Sequence, residues 1–229
     1  VAAEPKTKAY GLRDPALTYE EVEGIEDGDS LVGRLARLPG ENVGTYQIII
    51  GTLTAGPNYT ITFVPENLTI SKRSITITAD DKGKTIGDSD PALTYSITAG
   101  SLAYDDEISG DLVRDAGEGL GSYLIKQGTL AIDDGNGGAN YDPTFVEGTF
   151  TIKQISITIT ANAATKVYGE EDPEFTYTAS DPLVLLTGEL GREPGENVGS
   201  YAITIGTLSA GEQYAITLVS ANLTVTKRP

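Results

Sequence analysis

The 229-residue chain contains no cysteine, histidine, methionine or tryptophan. Without cysteine there are no disulfides, no thiolate zinc sites and no thiol nucleophile. Without histidine the commonest general base and transition-metal ligand is missing, which excludes Ser–His–Asp and Cys–His chemistry. No run approaches the ~18–20 apolar residues that a bilayer span requires. The first residues show neither the charged nor the apolar region of a signal peptide. Starting on Val1 and lacking methionine, the sequence reads as a fragment or a processed product. Basic residues are scarce too: 16 Lys and Arg stand against 33 Asp and Glu, a formal charge of −17. Such a surface repels nucleic acid and anionic lipid, favours solubility and leaves cations as admissible ligands.

What the chain does contain is one phrase written three times. Tyr10-Gly11-Leu12-Arg13-Asp14-Pro15-Ala16-Leu17-Thr18-Tyr19 returns from Ile86 to Tyr95 and from Tyr168 to Tyr177. A second phrase, Gly40-Glu41-Asn42-Val43-Gly44-Thr45-Tyr46, returns from Gly117 to Tyr123 and from Gly195 to Tyr201, and Gly-Thr-Leu follows at 51–53, 128–130 and 206–208. The Gly-x-Tyr tyrosines at 46, 123 and 201 lie 77 and then 78 residues apart. Three modules are therefore expected, over residues 1–73, 74–154 and 155–229, the first with its leading strand cut or altered at Val1. The links between them hold two to four residues and no Gly/Ser tract, so the modules are expected to be stiff relative to one another, an elongated rod.

Period-2 alternation dominates each module. Ile155-Ser156-Ile157-Thr158-Ile159-Thr160 sends isoleucines to one face and hydroxyls to the other, and Tyr59, Ile61 and Phe63 alternate with Thr60 and Thr62. This is the pattern of half-buried strands, and β-branched residues suit the pleat. The expected fold is all-β: three tandem small β-rich modules, each an immunoglobulin-like sandwich or a β-grasp-like sheet. The one segment with room for a short helix is Ser101–Ile108.

Recurrent residues supply the candidate sites. Arg37, Arg114 and Arg192 each precede a glutamate by four positions (Glu41, Glu118 and Glu196), which predicts an ion pair pinning a loop to a strand. Tyr46, Tyr123 and Tyr201 are expected to place their rings in each core with the hydroxyl on a backbone group. Gly44, Gly121 and Gly199, two residues earlier, would permit a tight entry. Asp14, Asp90 and Asp172 precede prolines and predict turns, with Ca²⁺ as the alternative use of their oxygens. One segment does not recur: Asp133-Asp134-Gly135-Asn136-Gly137-Gly138. Acidic and amide oxygens on a glycine-flexed backbone are what Ca²⁺ requires, so Asp133, Asp134 and Asn136 are the metal candidates. The alternative there is a bare hairpin tip. No other cofactor is expected.

Taken together, the order Tyr-Gly-x-x-Asp-Pro-x-Leu-Thr-Tyr, Gly-x-Leu-x-Arg, Gly-Glu-Asn-Val-Gly-Ser/Thr-Tyr, Gly-Thr-Leu, Asn-Tyr and Asn-Leu-Thr-Ile resembles the MBG-type (YGX-type) repeat of bacterial surface proteins. Such repeats occur in tandem in secreted adhesins and filamentous-haemagglutinin-like exoproteins. The middle copy departs at Ile86, where tyrosine is expected, and at Gly119-Leu120, where Asn-Val is expected. The resemblance implies an extracellular, cell-surface location and a structural stalk or spacer that holds a distal binding domain away from the cell, with no catalytic residues to carry over. Partners are then the neighbouring repeats of a monomeric chain, with glycan or host surface met through other domains. The competing reading is a module that itself grips a glycan or host protein through its loops, against which stands the scarcity of exposed aromatics, since many of the 12 Tyr and 4 Phe fall at core-phase positions and there is no Trp. Paired-carboxylate glycosidase chemistry finds no distinctive pair of acids here.

Overall fold

The computed structural model describes residues 1–20 and 24–229. Among these residues there is no helix; strands and turns carry all the regular structure. The segment with room for a helix, Ser101–Ile108, instead makes a tight turn at Tyr104 (φ +50°) and enters the strand Glu107–Ser109. Three consecutive acids, Asp105-Asp106-Glu107, leave it no apolar stripe of helical period to bury. The chain forms two compact units. One comprises Val1–Asp81, Ala92–Asp115 and Leu124–Thr149; the other comprises Lys82–Pro91, Ala116–Tyr123 and Phe150–Pro229. Repeat 2 is shared between them.

Repeat 3 lies wholly in the second unit and shows the module plainly. The alternating strand Ile155–Ala161 pairs in parallel with Tyr214–Val219, Ile155 opposite Tyr214 through Thr160 opposite Val219, and antiparallel with Tyr177–Ala179. Beyond Asn162-Ala163 the chain enters a second sheet, where Ala164–Val167 pairs in parallel with Asn222–Thr226. That sheet continues antiparallel through Gly199–Thr204 to Gly191–Arg192. Two long ribbons, 155–167 and 214–226, thus run side by side and pass together from one sheet to the other. Parallel neighbours cannot be joined by a tight turn, and the residues between the ribbons supply the antiparallel strands. The isoleucine phase read from the sequence fills the core: Ile157, Ile159 and Ile203 are buried, with Leu190 and Leu208 around them. Two sheets per module answer to the sandwich alternative, and the helix of a β-grasp has no counterpart among the described residues. In the same unit Phe150–Lys153 runs parallel to Lys82–Thr85, the matching ribbon pair of repeat 2.

The first unit holds the four-stranded sheet of repeat 1, in the order Lys6–Ala9, Asn67–Ser71, Gly44–Ile49, Ala36–Arg37. It also holds the three-stranded sheet of repeat 2, where Arg73–Ala79 lies between Tyr141–Val146 (parallel) and Tyr95–Ala99 (antiparallel). Only Lys72 separates the two repeats' strands. Tyr10 and Ile70 of repeat 1 are buried in one apolar cluster with Ile75, Ile77, Ala103 and Tyr141 of repeat 2. The hydrophobic core therefore runs through this repeat boundary. Residues 59–63 of repeat 1, predicted as a strand by their alternation, form no ladder with the described residues; Ala2 makes a single parallel bridge to Val64. In repeats 2 and 3 the corresponding strand pairs with Arg73–Thr76 and Ile155–Thr158. By register those positions fall before Val1.

Candidate functional site

Each repeat builds an ionic cluster on the first strand of its four-stranded sheet. In repeat 1, Lys8 has a side chain only 4% exposed, and its Nζ lies 2.7 Å from Asp14 Oδ1 and 2.5 Å from Glu41 Oε2. Arg37 closes the group. Its Nε donates to Asp14 Oδ2 at 2.6 Å, Nη2 pairs with Glu41, and Nη1 donates to the carbonyl of Gly40 at 2.5 Å. Repeat 3 reproduces the arrangement with Lys166 between Asp172 (2.6 Å) and Glu196 (2.7 Å), and with Arg192 on both acids and on the Gly195 carbonyl. In repeat 2, Lys84 pairs with Asp90 at 2.7 Å and with Glu118, and Arg114 Nη1 donates to the Asp115 carbonyl at 2.9 Å. The Asp–Pro turn and the Gly-Glu-Asn loop are thus tied to one buried ammonium.

The electrostatics fix these groups as ions. Burial alone would lower the Lys8 pKa, but hydrogen bonds from its ammonium to Asp14 and Glu41 outweigh it and hold the value above the ordinary lysine range. Arg37 holds Asp14 low, as Arg192 holds Asp172 low. An acid held low and an amine held high transfer no proton near neutral pH. Such a group organises loops. Removing one partner would leave a buried charge uncompensated, which costs more than the pair itself is worth.

The tyrosines complete the cluster. The hydroxyls of Tyr46, Tyr123 and Tyr201 donate to the carbonyls four residues earlier, Asn42, Gly119 and Asn197, at 2.7, 2.8 and 2.8 Å. The guanidinium carbons of Arg37 and Arg192 sit 5.2 and 5.4 Å from the ring centroids of Tyr46 and Tyr201, within cation–π range. The glycine that the ring demands is Gly40 rather than Gly44. A Cβ on Gly40 would lie 2.1 Å from Tyr46 Cε1, whereas one on Gly44 would meet nothing closer than 3.9 Å.

A second constellation lies where repeat 1 meets repeat 2, inside the first unit. Asp134 is buried. Its Oδ1 accepts the amide hydrogens of Asn136 (2.8 Å) and Gly138 (2.7 Å), and its Oδ2 accepts that of Asn140 (2.9 Å). Burial would raise its pKa, but these N–H donors prevail and hold it below the usual carboxylate value. The loop so formed presents Asn140, fully buried, to repeat 1. Its Nδ2 donates to Asn42 Oδ1 at 3.1 Å, and its Oδ1 accepts the Val43 amide at 2.9 Å. Beside it Tyr10 stacks edge-to-face on Tyr141 (5.5 Å) and on Tyr104 (5.4 Å). Asp106 receives the hydroxyls of Tyr141 (2.5 Å) and Tyr10 (3.4 Å). Burial and the Asp106 charge push both tyrosines to about 12. Arg73 spans the boundary as well, donating to the carbonyls of Tyr10 (3.2 Å) and Ser101 (2.7 Å).

Of the metal candidates, Asp133 accepts the Gly135 amide at 3.3 Å, Asp134 sits in its own loop, and the Asn136 amide donates to Asn140 at 3.2 Å. Among the described residues no group of three or more Asp and Glu side chains is so placed that it could hold a metal ion. Sequence reasoning missed the lysines, although Lys8, Lys84 and Lys166 each stand six residues before the repeat's aspartate. It also missed Asn140, which looks like one more residue of a polar hairpin tip.

No curated protein sequence matches the chain. The family comparison is decisive: the MBG domain (YGX type) matches residues 1–69, 75–151 and 157–224. The recurrent Lys–Asp–Arg–Glu clusters fall within those three stretches, and the chain belongs to the MBG domain family as three tandem copies.

Proposed function

We propose that this chain is a spacer segment of a secreted bacterial surface protein, a stalk that holds a distal binding domain away from the cell and does no chemistry of its own. MBG domains are typical of such proteins, and a surface-protein repeat region is the coarse setting that membership supplies. One observation carries the finer reading: the hydrophobic core and the Asn140 hydrogen bonds run through the boundary between repeats 1 and 2. Beads on a flexible string need no such joint, while a strut does. The ionic clusters serve the same end, since they fasten turns to strands with groups that stay charged near neutral pH. The acidic surface keeps the strut soluble and monomeric, and no helix among the described residues is long and apolar enough to cross a membrane.

Small-angle scattering tests this. A compact chain of 229 residues has a radius of gyration of ~17 Å, whereas three ~77-residue modules in line give ~27 Å. The spacer reading expects the larger value, and the smaller one would overturn it.

A further inference from the structure

The loop that presents Asn140 to repeat 1 contains the chain's one Asn-Gly pair, Asn136-Gly137. An asparagine is open to attack by the amide nitrogen of the residue after it, and glycine, with no side chain, obstructs that approach least. The surroundings favour it too. Both residues are exposed. Asp134 gathers alternate amides, those of Asn136, Gly138 and Asn140, and the Gly137 amide between them donates to no described residue. The turn is closed by a long bond, 3.3 Å from the Ala139 amide to the Asn136 carbonyl, and a Cβ on Gly137 would meet nothing within 4 Å. The other two asparagines of the joint are protected. The amide after Asn42 belongs to Val43 and donates to Asn140 Oδ1 at 2.9 Å. The amide after Asn140 belongs to Tyr141 and donates to the Gly138 carbonyl at 3.2 Å, and Asn140 itself is fully buried.

We propose that Asn136 is a site of spontaneous deamidation whose products loosen the joint between repeats 1 and 2. The Gly137 nitrogen bonds to Asn136 Cγ, the Cγ–Nδ2 bond breaks, and the displaced nitrogen leaves as ammonia with the proton that Gly137 gives up. Water then opens the cyclic imide. Attack at Cγ gives aspartate, and attack at the main-chain carbonyl gives isoaspartate; nothing is oxidised or reduced. Neither product rebuilds the loop. Both lose the Nδ2 donor that reaches Asn140 Oδ1 at 3.2 Å and set a carboxylate against that acceptor. Isoaspartate also inserts a methylene into the main chain between the amides of residues 136 and 138, which share Asp134 Oδ1. Asn140 then loses its fixed place, and with it the bonds to Asn42 and Val43.

Ageing the full chain in mildly alkaline buffer, which speeds the ring closure, tests this. Mass-spectrometric mapping with enzymatic labelling of isoaspartate is expected to show Asn136 converted while Asn42 and Asn140 stay intact. Amide hydrogen exchange at Val43 is expected to be faster in the aged chain than in the fresh one by about tenfold, the loss of one buried hydrogen bond, with the repeat 3 strand Tyr214–Val219 unchanged. Asn136→Gln, whose longer side chain closes the ring poorly, is expected to show no such difference between fresh and aged samples. An Asn136 that stays intact while a free peptide of the same loop converts would overturn the proposal. So would a converted chain whose Val43 amide exchanges as before, or an aged Asn136→Gln chain that loses as much protection as the aged parent. Fresh and aged parent chains share one sequence, so the test does not depend on a variant's folding.

Discussion

Replacing Gly11 with alanine should damage the chain far more than the same change at the two equivalent glycines, and the difference measures the joint. Gly11, Gly87 and Gly169 follow the same position of the repeated phrase and share a left-handed backbone, with φ of +78°, +90° and +88°. Alanine costs about 1–2 kcal/mol in that region wherever it is placed. The surroundings differ. A Cβ on Gly11 would lie 2.3 Å from the Cβ of Ala103 in repeat 2, one on Gly87 meets nothing within 4 Å, and one on Gly169 meets only Arg228 at 3.7 Å. Overpacking of that kind adds about 1–3 kcal/mol. Gly11→Ala is thus expected to cost about 2–5 kcal/mol in total, and Gly87→Ala and Gly169→Ala only the backbone share. Calorimetry of the full chain reads the size of the effect. Hydrogen exchange at the Val43 amide, which donates to Asn140 across the boundary, reads its place. Adding Ala103→Gly to Gly11→Ala removes the overlapping carbon and should recover the overpacking share, as a double-mutant cycle requires. Three equal costs, or a Val43 amide that stays protected in Gly11→Ala, would refute the reasoning.

Two further outcomes follow from the ionised groups. Asp14, Asp172, Glu41 and Glu196 are held below their usual values by the lysine and arginine beside them. Their contribution is therefore complete above the unfolded carboxylate values, ~3.9 for Asp and ~4.3 for Glu, and is lost as pH falls through the lower folded ones. At the alkaline end Tyr10 and Tyr141, raised to about 12, contribute fully below the unfolded value of ~10 and lose that contribution as pH rises through the folded one. A melt series should show a plateau with both flanks falling, and tyrosinate absorbance should show a late fraction that appears only as the first unit opens; a single absorbance step at the ordinary tyrosine value would contradict the buried pair. Millimolar Ca²⁺ is expected to shift the melting temperature by less than about one degree, because the Asp134 oxygens already accept three amide hydrogens. A rise of several degrees would restore Asp133, Asp134 and Asn136 as ligands.

Much of this architecture is written in local pattern. Ile157 and Ile159 announce a buried strand face because a strand's side chains alternate with a period of two, and both are buried. Arg37 and Glu41 announce a pair by spacing, and they form it. Lys8 was legible by the same logic, but a lysine in a Thr-rich strand is ordinarily a solvated one, and only the fold shows its ammonium under two acids. Gly44 stands nearer to Tyr46 in sequence than Gly40 does, yet it is Gly40 that the ring excludes from bearing a Cβ, because the path of the loop brings it back onto the ring. Asn140 was illegible for a deeper reason. Its partners Asn42 and Val43 lie 98 and 97 residues away in another repeat, and a polar residue after three glycines carries no local mark of burial.

The departures of the copies from one another fall into place once the joint is known. Its parts sit on two faces: Tyr10, Asn42 and Val43 at the end of repeat 1, and Asp106, Asp134 and Asn140 at the start of repeat 2. At the end of repeat 2 the corresponding positions are Ile86, Gly119 and Leu120. At the start of repeat 3, counting back four from Gly188 as Asp106 lies four before Gly110, Val184 replaces the aspartate, and exposed Gln213 stands where Asn140 is buried. The changes therefore come in matched sets, one for each side of a boundary. Chance drift would scatter polar losses over both faces independently, leaving an unpartnered buried amide or carboxylate somewhere, and the described residues hold no buried side-chain polar atom without a hydrogen-bond partner. Leu183 and Leu185, 91% and 83% exposed, lie in the segment of repeat 3 that precedes Gly188, where repeat 2 carries Tyr104 and Asp106 ahead of Gly110. What varies between copies is thus the chemistry of the ends, while the ionic cluster that organises each module recurs, and the identity of a repeat in this chain is set as much by its neighbour as by its own fold.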